Sequence, residues 1–162
     1  MPVIELVTSI AAPIDRVFDL ARSIDLHTHS TSRTGERAVS GVTSGLIGLD
    51  EEVTWRARHF GVWQSLTVRI TEFERPTHFT DVMLRGAFRS MEHRHDFEPA
   101  VNGNTTMRDR FRFQSPLGIL GRLVDCLVLT RYMKSLLIER NRVIKVIAES
   151  DDWEKYLPHG SR

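Results

Sequence analysis

Cysteine is almost missing from this sequence: Cys126 stands alone, which excludes an internal disulfide and fits a reducing, cytoplasmic setting. Neither sign of charge dominates. Lys and Arg number 22 against 21 Asp and Glu, a net charge of +1, which argues against a general nucleic-acid binder. Long hydrophobic runs are also missing. The most apolar stretch, Leu117 to Ile147, is broken by Arg122, Asp125, Arg131 and Lys134, so it falls short of the roughly 20 apolar residues of a membrane span. The opening Met-Pro-Val-Ile-Glu carries no basic leader, and no signal peptide is expected. No repeat or linker interrupts the 162 residues. The expectation is one soluble domain over 1–149, followed by a polar tail, 150–162, that frays.

What is present has clear periodicity. Residues 3–9 are rich in β-branched types and read as a strand. Pro13 opens a short helix over 13–22, where Ile14, Val17, Phe18 and Ala21 recur at helical spacing. A second short helical piece spans Ile24 to His29, and a brief strand is expected near Glu36–Ser40. Five long runs without helical period follow, near 51–60, 63–74, 77–85, 89–98 and 105–114. They are separated by turn chemistry at Gly61, Arg75-Pro76, Gly86 and Asn102-Gly103, which predicts an antiparallel meander. Ser115-Pro116 then caps a long helix running to about Ala148. Its expected buried stripe includes Leu120, Leu123, Val124, Leu127, Leu136, Leu137, Val143 and Ile147. Arg131, Lys134, Arg140, Arg142 and Lys145 read as its solvated face.

Strand, two short helices, about six strands and one long C-terminal helix form an α+β order, in which a curved antiparallel sheet of about seven strands wraps around the helix. In this order, and in the stretches Ile10-Ala-Ala-Pro-Ile-Asp-Arg-Val-Phe-Asp-Leu20, Glu52-Val-Thr-Trp55, His59-Phe-Gly61, Arg85-Gly-Ala-Phe88, His93-Arg-His-Asp-Phe-Glu-Pro99 and Met107-Arg-Asp109, the chain resembles the SRPBCC, or START-like helix-grip, superfamily. The motifs look like a bacterial, polyketide cyclase/dehydrase-like branch, some of whose members are fused to nucleotide-sugar-epimerase-like domains. The resemblance implies a cavity between sheet and helix for a lipid or polyketide-like molecule, and an epimerase-like protein as a partner.

Strand parity places chemistry in that space. On 89–98, Met91, His93, His95 and Phe97 share one face, while Glu92, Arg94, Asp96 and Glu98 share the other. On 105–114, Met107, Asp109, Phe111 and Phe113 lie opposite Arg108, Arg110 and Arg112. A two-residue turn at Asn102-Gly103 would mismatch these faces. A three-residue loop, Val101-Asn102-Gly103, pairs His95 with Asp109 and His93 with Phe111, and the faces agree. Across Gly86 the same argument brings Asp81 beside His93, although strand 77–85 is ambiguous because Val82 and Leu84 compete with Phe79 and Met83 for the inside. Val53, Trp55, Ala57 and His59 share the inner face of 51–60.

Two roles are open for this cluster. In a binding protein, Trp55, His59, Asp81, His93, Met107, Phe111 and Leu127 would line the cavity of a hydrophobic ligand. In a cyclase or dehydratase, His95 paired with Asp109 would serve as general base and Arg85 would stabilise the enolate oxygen. Buried His–Asp pairs also serve as satisfied core groups, and a non-catalytic interaction module is a third reading. His93, His95, His59 and Asp109 could offer N,N,N,O ligands, but no metal motif accompanies them, and no metal or cofactor is expected. His27 and His29 read as surface residues. Gly41, Gly45 and Gly48 read as a flexible loop, since no Gly-Lys-Ser/Thr follows. Trp63 is a further aromatic that could reach the pocket.

Overall fold

The computed structural model of the protein describes residues 1–114 and 128–157. Strand β1 (Val3–Ile10) leads into helices α1 (Ile14–Ala21) and α2 (Ile24–Ser30). Six strands follow: β2 (Arg37–Gly41), β3 (Glu52–His59), β4 (Val62–Glu74), β5 (His78–Arg85), β6 (Ser90–Pro99) and β7 (Thr105–Gln114). All neighbours are antiparallel, in the order β1-β7-β6-β5-β4-β3-β2, so the first strand closes beside the last and β2 forms the opposite edge. Helix α3 (Thr130–Ala148) lies against β1, α1 and α2. This is the helix-grip α+β architecture expected from the order of elements. The described part of the long helix begins at Thr130. Ser115, Pro116, Cys126 and Leu127 lie outside the described residues.

Local chemistry sets the turns. Phe60 and Gly61, both at positive φ (50° and 81°), make the two-residue connection between β3 and β4. Gly41 has φ 75°, and a Cβ there would stand 2.1 Å from the Glu52 carbonyl oxygen, so β2 can leave its partner only at a glycine. Between β6 and β7, Asn102 and Gly103 adopt φ of 62° and 75° within a short 3-10 turn over Val101–Gly103.

The core is anchored by Phe18, fully buried on α1. Its ring meets Phe73, Phe79 and Phe97 edge-on, at centroid distances of 5.4, 5.5 and 5.2 Å. Beside it, Asp19 is buried and receives Arg22 at 2.7 Å and Arg75 at 2.8 Å, which clamps α1 to the β4–β5 turn. The end of α3 is tied to the β1–α1 passage, because Lys145 Nζ donates to Ser9 O (2.6 Å) and the Ala11 amide donates to Glu149 (2.8 Å).

The tail differs from expectation as far as it is described. Ser150 caps a 3-10 turn over Asp151–Lys155, Arg16 lies over the Trp153 ring at 4.4 Å, and Leu157 is buried. Trp153, Tyr156 and Leu157 pack against the core and fold this otherwise polar segment back.

Truncation of Phe18 tests this core. Phe18→Ala is expected to lower unfolding free energy by about 3–5 kcal/mol, read by urea denaturation. A loss below ~1 kcal/mol would mean that the aromatic cluster does not carry the packing assigned to it.

Candidate functional site

The three-residue loop has the predicted consequence for register. Pro99 pairs with Thr105, His95 with Asp109, and His93 with Phe111. On the other side of β6, Asp81 pairs with His93 and Phe79 with His95. Phe79 is buried while Leu84 is exposed, so the ambiguous strand turns Phe79 and Asp81 inward.

Asp109, 2% exposed, is the hub of the resulting cluster. Its Oδ1 lies 2.8 Å from His95 Nδ1 and 3.0 Å from His93 Nε2, and its Oδ2 accepts from Asn141 Nδ2 at 2.6 Å. Arg140 Nη1 approaches Oδ1 at 3.6 Å, and His95 Nε2 lies 3.3 Å from Asp81 Oδ1. Burial alone would raise the Asp109 carboxyl. The hydrogen bonds from His93 and His95 outweigh burial and hold it well below the usual carboxylate range. Asp81 follows the same logic: burial opposes its charge, but the bond with His95 and the nearby cations keep it low. His93 is pushed down to about 4, chiefly by burial and then by the charge of His95, so it is neutral at physiological pH.

These groups open onto a cavity of about 420 Å3 between the sheet and the helices. Its apolar wall includes Val53, Trp55, Ala57, Val68, Ile70 and Phe111, with Met133, Leu136 and Leu137 contributed by α3. Phe60, exposed, sits at the rim against Tyr132. A second polar group lies along the wall from the Asp109 cluster. His59 Nδ1 is 2.8 Å from the Tyr132 hydroxyl, and His27 stacks on Trp55 at 4.1 Å with its Nε2 3.6 Å from Glu36. Burial works against the Glu36 charge, but the neighbouring His27, with His59 beyond, holds its carboxyl below the ordinary value.

Most predicted site residues are therefore brought together: Trp55, His59, Asp81, His93, His95 and Phe111 line the cavity, with Asp109 directly behind the histidines. Three are not. Arg85 stands at the end of β5, beside an irregularity in the β4–β5 pairing, where it is exposed and does not line the cavity. Met107 faces inward, as parity requires, but is fully buried in the core away from the cavity wall. Leu127 is outside the described residues. Trp63 is also turned outward, beneath Arg56.

Two residues read as solvent-facing line the cavity instead. Arg140, 7% exposed, enters the cavity wall from α3, donates to the Ala21 carbonyl at 2.9 Å, and leaves Nη1 without a hydrogen-bond partner. The available signal was the helical period: positions 137, 140, 144 and 147 share a face, so Arg140 falls within the apolar stripe. His27 lines the cavity because Ile24, His27 and the C-cap Thr31, spaced three and four apart, share the face of α2 that meets it. Its distance from Trp55 in sequence gave no local cue.

Neither a family profile nor a curated sequence matches the chain. Solved structures do. The protein TTHA0849 from Thermus thermophilus superposes with a TM-score of 0.70 at 19% identity, covering 92% of this chain and all of that one (100%). Ginseng major latex-like protein 151 from Panax ginseng gives 0.67 at 14%, covering 92% and 98%. A START superfamily protein from Mycobacterium smegmatis gives 0.64 at 11%, covering 89% and 98%. The fold is thus the START-like helix-grip fold; at these identities the likeness concerns fold alone. Among the described residues, no helix is long and apolar enough to cross a membrane.

The Glu36 carboxyl gives a pH signature. A carboxyl held below its ordinary 4.5 stabilises the fold above that value and loses the contribution as pH falls through it. The stability advantage of the wild type over Glu36→Gln should be present near about pH 6 and shrink on acidification, as followed by urea unfolding. A difference that is flat or grows towards acid would contradict the assignment.

Proposed function

We propose that the protein binds a hydrophobic small molecule, lipid-like or polyketide-like, in the cavity between sheet and helices. The observation that carries this reading is the cavity itself. Its 420 Å3 lies within the range of small-molecule sites, and its wall is mostly apolar with a few convergent polar groups. A long apolar body would lie along Trp55, Val68 and Phe111. A polar end would reach Arg140, whose buried Nη1 has no hydrogen-bond partner among the described residues and can donate to an oxygen acceptor.

The cyclase or dehydratase alternative draws on the His95–Asp109 pair, with Arg140 in place of Arg85 as the donor near a developing enolate oxygen. It has less support, because the Nε2 that would take a proton already faces Asp81.

Native mass spectrometry of the purified protein, with extraction of the bound molecule after denaturation, tests the binding reading; one equivalent of a hydrophobic compound is expected. Ala57→Phe sharpens it. Ala57 is buried on β3 and faces the cavity, so the added ring fills empty space. Ligand affinity should fall at least about tenfold while stability changes by less than the ~1–3 kcal/mol of an overpacked core. An empty protein that ignores a panel of fatty acids, sterols and polyketides, or unchanged affinity in Ala57→Phe, would sink the proposal.

A further inference from the structure

The Asp81–His93–His95 corner poses an electrostatic question that a neutral ligand does not answer. When Asp109 accepts from His95 Nδ1–H and His93 Nε2–H, the second nitrogen of each ring is left with its lone pair. For His95 that nitrogen is Nε2, which then faces Asp81 Oδ1 at 3.3 Å. Two acceptors held this close in a largely buried site need a cation between them. The cation is either a second proton on His95 or a metal ion.

We propose that Asp81, His93 and His95 form a two-histidine, one-carboxylate site for a divalent transition metal of the zinc or cobalt type, with its remaining coordination position open to the cavity. One ligand atom from each residue lies within 4.8 Å of the others. The His95–Asp81 separation already fits: two ligands about 2.1 Å from one ion at a tetrahedral angle lie about 3.4 Å apart. The surroundings fit as well. Metal-binding histidines usually donate their other ring N–H to a carboxylate, which fixes the tautomer and orients the ring. Here one carboxylate, Asp109, serves both rings, and is itself held by Asn141 from α3. Arg140 lies 3.6 Å from Asp109 and its charge also reaches Asp81, so the two carboxylates share one guanidinium and one negative charge remains for the ion. All three ligands line the cavity, so the open position would receive water or an oxygen donor entering from it. The site rests on the ligand geometry alone and stands whether or not an apolar molecule fills the rest of the cavity.

The test uses untagged, chelator-treated full-length protein titrated with Zn2+ by calorimetry and with Co2+ by visible absorption. One equivalent of Zn2+ should bind with Kd at or below about 1 μM, and Co2+ should develop the intense visible bands of a four-coordinate site. Asp81→Asn keeps the side chain's shape and should weaken Zn2+ binding at least about 100-fold. His78→Gln, at a histidine outside the cavity lining, should leave it unchanged. If Asp81→Asn fails to fold, imidazole NMR of the wild type replaces it, and Zn2+ should shift the His93 and His95 resonances but not those of His59. Any of the following would overturn the proposal: no stoichiometric uptake, affinity retained in Asp81→Asn, or ring signals showing a His95 imidazolium that Zn2+ does not displace.

Discussion

One carboxylate ties the two layers of this protein together. Asp109 sits on β7 and meets His93 and His95 from β6, and Asn141 and Arg140 from α3. A charge so deeply buried is tolerable only because every direction around it presents a donor. The consequence is mutual. The sheet must hold one register for the histidines to reach Asp109, and the helix must hold one rotation for Asn141 to do so. A slip of one residue in β6–β7 would turn both histidines outward and leave the carboxylate stranded inside.

That dependence explains why so much of the site was legible in the sequence. Alternation along β6 and β7, together with the Asn-Gly turn, admitted only one loop length that kept both apolar faces on the same side. The pairing of His95 with Asp109 followed. Strand boundaries were legible for a similar reason, since Gly61 and Asn102-Gly103 occupy the left-handed backbone positions that end strands.

What escaped depended on contacts distant in sequence. Arg140 carries a charge that ordinarily marks a solvated face, and only its place between Leu137 and Ile144 indicated burial. His27 reaches the cavity from the face of α2 that it shares with Ile24, a period too short in a seven-residue helix to stand out. Arg85 erred in the other direction. Parity alone places it with Asp81 and Met83, but the pairing of β5 with β4 shifts between Val68 and Thr67, and the strand end turns out to solvent.

The cavity joins surfaces of different origin. Its ionisable corner is supplied by β5, β6 and β7 with two side chains of α3, Asn141 joined by a hydrogen bond and Arg140 by charge. Its apolar length is supplied mainly by β3, β4 and the remainder of α3, where contacts are non-directional and side chains can be exchanged if volume is kept. Charge and shape are therefore carried by separate stretches of chain. A descendant of this protein, natural or designed, could change the size and outline of its cavity by drift on one half of the sheet while the polar corner on the other half stays intact.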